Sequence, residues 1–219
     1  MKGLALIGFE HSVYTRAVRM ALHEKDLAYD YDEVDPFTPA GQAALVGMHP
    51  FGRVPVLRHY AFVLYETAAI LGYLDDGFDA PPLWPKGAKA RARVIQVEGI
   101  VDSYLYQPLV RQVFSHGIYL PHLGESADPE TVAAGLAASG TVLDALEEIA
   151  GAGLVLNGRD ITRADCHLAP MIDYFAALPE ARALLEARPA LAHWFGSMAE
   201  RGSFAQTRPD FMDRLVGTD

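Results

Sequence analysis

Residues 4–34 read LALIGFEHSVYTRAVRMALHEKDLAYDYDEV, and the change of pattern within this stretch decides the fold. Leu4, Ala5, Leu6 and Ile7 form a short, continuously apolar run, as expected of a central strand covered on both faces. Ser12, a favoured N-cap residue, then opens a helix. At about 100° per residue, Val13, Ala17, Val18, Met20, Ala21 and Leu22 share one broad arc. Arg16, Arg19 and His23 fall opposite, so the helix is expected to lie on a sheet with its basic side in water. Residues 29–34 read as a second strand, with Asp30 and Asp32 on one face and Tyr29 and Tyr31 on the other. Strand, helix and strand in this order make a right-handed parallel unit.

Downstream, Asp35-Pro36-Phe37-Thr38-Pro39 breaks the chain and a short helix is expected over 41–46. His49-Pro50-Phe51-Gly52 is a loop, and 54–57 and 62–64 are strands close enough to pair as a hairpin. A third helix spans 66–74, and the prolines of 76–85 prevent its continuation. Beyond lie only helical patterns: 87–115, 129–150 with Pro129 in the first turn, 163–178 and 189–201. The expected architecture is α/β plus all-α. A mixed four-stranded sheet with helices occupies 1–76, a linker 77–86 and a helical bundle 87–219.

Composition narrows the function. The 219 residues are 51% hydrophobic and 21% charged, ordinary for a folded protein, and carry a net charge of -10. Nucleic acid and anionic membrane surfaces are disfavoured partners for that field. No window approaches the ~18 apolar residues of a membrane span, and Glu10 and His11 end the first apolar run too early for a secretory leader. Cys166 is the only cysteine, which excludes a dithiol oxidoreductase and fits the cytoplasm. The eight histidines include no HExxH, so no metal site is expected. Glu10-His11-Ser12-Val13-Tyr14 is not a hydrolase elbow. Gly151-Ala152-Gly153 follows a helix, so it reads as a helix C-cap rather than a dinucleotide loop.

Four segments then stand in a recognisable order. Residues 12–19 resemble the start of the first helix in serine-type glutathione transferases. His49-Pro50-Phe51-Gly52-Arg53-Val54-Pro55-Val56-Leu57 is similar to the family's NPxGxVPxL loop, with His for Asn. Leu64-Tyr65-Glu66-Thr67-Ala68-Ala69-Ile70 resembles LxESxAI, with Thr for Ser, and residues 158–165 resemble the capping segment of the helical domain. The resemblance covers nearly the whole chain. It implies a thioredoxin-like N-terminal domain, glutathione as co-substrate, addition to a small hydrophobic electrophile, a homodimer and no metal. The alternative is a non-catalytic member kept as a binding or assembly protein.

The resemblance assigns roles that the residues alone leave open. Ser12 by itself reads as a helix cap; in the family it donates to the glutathione sulfur and favours the thiolate. Serine there also disfavours thiol transfer, because a hydroxyl forms no mixed disulfide. Val13 and Tyr14 replace the Ser-Cys that a maleylacetoacetate-type isomerase would carry after Ser12. Val54-Pro55 alone reads as an ordinary strand start. The resemblance implies a cis bond that turns the Val54 backbone toward the cysteinyl part of glutathione. Glu66 and Thr67 alone read as a helix start with a Thr cap; in the family they meet the γ-glutamyl ammonium and carboxylate. The basic pair that many members place before the loop is replaced by Ala40-Gly41, leaving Gln42 and Arg53 as substitutes at the glycyl end. Tyr104, Tyr106, Gln107, Arg111 and Phe114 are candidates for an electrophile pocket, and Asp102 is either a surface charge or a ligand contact. Thr162-Arg163-Ala164-Asp165 is a capping-box variant. Ile161 and Cys166 hold the staple positions around it, so Cys166 is expected to be buried.

Overall fold

The computed structural model describes residues 3–216. Strands β1 (Leu4–Gly8) and β2 (Asp30–Glu33) flank helix α1 (Val13–Glu24); helix α2 (Pro39–Leu45), strands β3 (Val56–His59) and β4 (Phe62–Tyr65) and helix α3 (Thr67–Gly77) follow. The sheet order is β2-β1-β3-β4, with β1 parallel to β2 and both later pairings antiparallel. This is the mixed four-stranded sheet expected from the sequence. Strand period 2 divides β1 between two layers. Leu4 and Leu6 join Val18, Leu22, Leu57, Ile70 and Leu74 in the main core, whereas Ile7 packs with Leu45 and Val56 in a small second cluster.

The helical half begins with one rod: α4 (Ala88–Ile100), a π-helical stretch (Val101–Tyr119) and a closing turn α5 (Leu120–His122). It continues through α6 (Pro129–Gly151), α7 (Arg163–Phe175), α8 (Pro179–Glu186), α9 (Pro189–Ala199), α10 (Gly202–Thr207) and α11 (Asp210–Val216). The π winding and the three short helices α8, α10 and α11 are additions to the expected pattern. The segment between α3 and α4 is packed: Phe78 and Leu83 are buried, and the Arg163 guanidinium lies 4.1 Å from the Trp84 ring centre. The capping box is present, with the Thr162 amide donating to Asp165 Oδ2 over 2.7 Å. Trp194 Nε1 donates to the other carboxylate oxygen at 2.7 Å, and Cys166 is fully buried beside it.

One expectation for α1 is overturned. Arg16 is not in water; it is fully buried, bonded to Asp173 of α7 and to the Phe204 carbonyl, with its guanidinium 4.4 Å from the Phe204 ring centre. The helix is sandwiched, with the sheet on one side and the helical domain on the other.

Candidate active site

A cavity of about 660 Å³ separates the β-domain from the π-helical stretch. It is lined by Ser12, Gln42, His49, Arg53, Val54, Pro55, Glu66 and Thr67, and by Phe9, His11, Phe37, Val110, Phe114, Tyr119 and Tyr174. Tyr14, Asp102, Tyr106 and Arg111 also face it.

Ser12 is the N-cap of α1, its Oγ accepting from the Thr15 amide at 3.2 Å. That bond uses a lone pair, so the hydroxyl proton remains available to the cleft. The cap and a donor role are therefore compatible. Val54-Pro55 is cis. Thr67 is not the cap of α3 but its first helical residue. Glu66 holds the cap position at φ 71°, with no side-chain cap bond, because left-handed backbone carries the chain from β4 into the helix.

The glycyl end differs from the expectation for Gln42. Its Nε2 donates to the carbonyls of Pro36 and Gly52, the latter at 3.0 Å, which occupies both amide hydrogens. Gln42 is thus a strut between two loops and offers the cleft only an acceptor. The missing basic pair also has a steric side: a Cβ on Gly41 would lie 1.8 Å from the Asp35 carbonyl oxygen. His49 is buried against Tyr65, and its Nδ1 accepts from the Phe51 amide at 3.2 Å. Burial pushes its pKa down, so it supplies no cation at neutral pH. Among the described residues facing the cleft, Arg53 and Arg111 carry the positive charge and Glu66 and Asp102 the negative.

Tyr104 stands outside the cleft, 67% exposed. At ~3.6 residues per turn Tyr104 and Arg111 would share a face. A π-helix closes i→i+5 bonds and needs roughly four to five residues per turn, so it aligns Asp102, Tyr106, Val110 or Arg111, Phe114 or Ser115, and Tyr119 instead. Tyr119 escaped the sequence reading because the expected helix ends at residue 115, whereas the π-helical stretch runs on to Tyr119. Its hydroxyl lies 2.9 Å from His11 Nδ1, and no local signal links residues so far apart in the chain. Tyr14 packs on Tyr106, and burial first, with Asp102 adding to it, raises its pKa, so it stays protonated. Burial likewise pushes the Cys166 thiol well up, away from any nucleophilic role.

The comparisons with known proteins agree on the family. The glutathione S-transferase N-terminal domain matches residues 6–82, and the C-terminal domain of the same family matches residues 129–197. Glutathione S-transferase F13 of Arabidopsis thaliana is 29% identical over 94% of this chain and 95% of its own length. Human glutathione S-transferase theta-1 is 29% identical over 82% of this chain and 75% of its own. The crystal structure of glutathione transferase F7 from Populus trichocarpa superposes with a TM-score of 0.78 at 27% identity, covering 93% of this chain and 97% of that one. The chain belongs to the glutathione transferase superfamily.

Proposed function

We propose that the protein is a glutathione transferase that uses Ser12 to ionise the glutathione thiol and adds it to a small hydrophobic electrophile. The observation that carries the reading is Ser12 itself: a capped hydroxyl on the cleft wall, at the positive end of α1, in one cavity with Val54, Pro55, Glu66 and Thr67. A free thiol has a pKa of ~8.5, and lowering it by about two units takes ~2.7 kcal/mol. A charge-assisted hydrogen bond contributes about 1.5–3 kcal/mol and a helix N-terminus about 0.3–1, which together suffice. In this reading the Val54 backbone pairs with the cysteinyl unit, Thr67 and the α3 amides take the γ-glutamyl carboxylate, and Glu66 takes the ammonium. Arg53 serves the glycyl carboxylate, since Gln42 has no hydrogen to offer.

The protein acts as a homodimer in the cytoplasm in this reading. The exposed Phe51, on the loop beside the cleft, is the apolar surface that a second copy would cover. The lone buried cysteine fits a reducing compartment. The test is calorimetric titration with glutathione, followed by product detection across a panel of electrophiles. Saturable binding with conjugate formation is expected. Binding without any conjugate would favour the non-catalytic alternative, and no binding at millimolar glutathione would remove the reading.

A further inference from the structure

Independently of the transferase reading, we propose that Asn157 is a self-modifying residue. The Gly158 nitrogen closes on its side chain, ammonia leaves, and the loop before α7 gains a carboxylate. Asn157 is the only asparagine in the chain, and it precedes a glycine that the fold requires. Gly158 has φ 73°, and a Cβ there would lie 2.7 Å from Ser197 Oγ. That requirement has a chemical consequence, because no side chain shields the Gly158 nitrogen from the Asn157 side. Its N–H donates to no group among the described residues, so no hydrogen bond has to break before the nitrogen reacts.

The carbon it attacks is prepared as well. Asn157 Oδ1 accepts from the Arg159 amide at 2.9 Å and from the Asp160 amide at 3.0 Å. Two N–H groups on one carbonyl oxygen draw charge from its carbon and hold the oxyanion that forms when a nucleophile adds there. The leaving nitrogen is held loosely: Nδ2 reaches the Gly153 carbonyl at 3.4 Å and Asp160 Oδ2 at 3.3 Å, both long for hydrogen bonds. Water is the remaining reactant, and Arg159 and Asp160 beside the site are exposed to it.

The atoms balance in two steps. The Gly158 nitrogen bonds to Asn157 Cγ, the Cγ–Nδ2 bond breaks, and the proton from the Gly158 nitrogen leaves on Nδ2 as ammonia. The product is a five-membered cyclic imide. A water molecule then opens the ring, its hydroxyl going to carbon and its other hydrogen to the Gly158 nitrogen. Addition at Cγ breaks the new bond and leaves aspartate. Addition at the main-chain carbonyl breaks the original peptide bond and leaves isoaspartate, with the main chain rerouted through Cγ. Either product adds a negative charge beside Asp160, and the aspartate form sets it where Nδ2 had donated. The isoaspartate form also lengthens by one methylene a loop that is fixed at both ends. Val155 and Leu156 are buried on one side. On the other, the Arg163 amide donates to the Leu83 carbonyl at 3.1 Å and Thr162 caps α7. Conversion should therefore loosen the start of α7.

The experiment holds the purified protein for days in mildly alkaline buffer, native and in urea, with Asn157→Gln alongside. Ammonia release, peptide mass mapping and enzymatic methylation of isoaspartate follow the reaction. Glutamine side chains need a six-membered ring and react slowly, so early ammonia reports Asn157. Native protein should convert at least as fast as the unfolded chain and give both products, and Asn157→Gln should release no early ammonia. Native protein that stays intact while the urea sample converts overturns the proposal, because the fold then protects the site. Equal ammonia release from Asn157→Gln overturns it too. Asn157→Asp carries the charge without the longer backbone, so its melting temperature should fall between those of fresh and fully converted protein. Converted protein that melts with fresh protein would overturn the link to α7.

Discussion

Arg16 of α1 donates its Nη1 hydrogen to Asp173 of α7, and this fully buried ion pair joins the β-domain to the helical domain one helical turn below Ser12. Arg208 reaches the same carboxylate through Nε at 3.1 Å. Breaking a buried pair by removing one partner typically costs about 3–5 kcal/mol, because the other charge is stranded. Arg16→Ala should therefore lower the unfolding free energy by about 3 kcal/mol, at the low end because Arg208 remains. Urea denaturation measures it. A loss below about 1 kcal/mol would show that Arg208 alone neutralises Asp173.

The same residue marks where sequence reading stops. Periodicity identified α1 and its apolar arc, since that face packs on the sheet, but period alone reports one buried side. The second layer, α7, comes more than a hundred residues later, and nothing near Arg16 announces it. The π stretch failed for a related reason, since a spacing of about 3.6 residues groups the wrong side chains. Features with local causes were legible: the strand–helix–strand start, the Ser12 cap, the Thr162-Asp165 box and the buried Cys166. Gln42 was legible as a neighbour of the loop, but its role as a strut depends on carbonyls that only the folded loops bring together.

Ser12 caps α1, and the proposal gives it a second role on the glutathione sulfur; two substitutions divide them. Ser12→Ala should cost about 1 kcal/mol of stability through the lost cap. It should also raise the pKa of bound glutathione by about one to two units. Ser12→Asp keeps a capping oxygen but sets a carboxylate against the thiolate. It should retain stability and still lose activity. Thermal unfolding and the thiolate absorbance against pH provide the readings. An unchanged thiol pKa in both variants would leave Ser12 as a cap alone.

Glu24 and Glu98 should give pH dependences of opposite sign. Burial opposes ionisation of Glu24, but hydrogen bonds from Arg201, at 2.7 and 2.6 Å, and from Ser203 outweigh it and hold its pKa below the usual carboxylate range. Its stabilising contribution is present above the unfolded value of ~4.3 and is lost as pH falls through the folded value. For Glu98, burial dominates the opposing Arg163 and His167 and raises the pKa. Its contribution is present below ~4.3 and is lost as pH rises through the folded value. Against pH, the stability gap between wild type and Glu24→Gln should open upward from the acid end, and that for Glu98→Gln should close. Denaturant melts at several pH values measure both, and parallel gaps would contradict the assignment.

Self-association should depend on Phe51, which is 68% exposed on the loop before the Val54-Pro55 bond. Sedimentation velocity at micromolar concentration should show a species of twice the chain mass for wild type and a monomer for Phe51→Asp. A monomeric wild type would exclude the homodimer.

Glu66 combines an observed backbone strain with a proposed role in ligand binding. Its φ of 71° lies where a side chain is disfavoured, and such conformations cost of order 1–3 kcal/mol, persisting where the surroundings impose them. Glycine takes this backbone freely but loses about 0.5–1 kcal/mol of its own to chain entropy on folding. Glu66→Gly should therefore be neutral to about 1 kcal/mol more stable than wild type. It also removes the carboxylate proposed for the γ-glutamyl ammonium, which should weaken glutathione binding by about 1.5–3 kcal/mol. Glu66→Ala separates the two effects, because it loses the carboxylate and keeps the strain: binding should fall equally, without the gain in stability. Calorimetry and thermal melts on the two variants decide it. Equal affinity in all three proteins would take Glu66 out of the site. Lower stability in the glycine variant would show that the carboxylate, rather than the ligand, is what holds the turn in place.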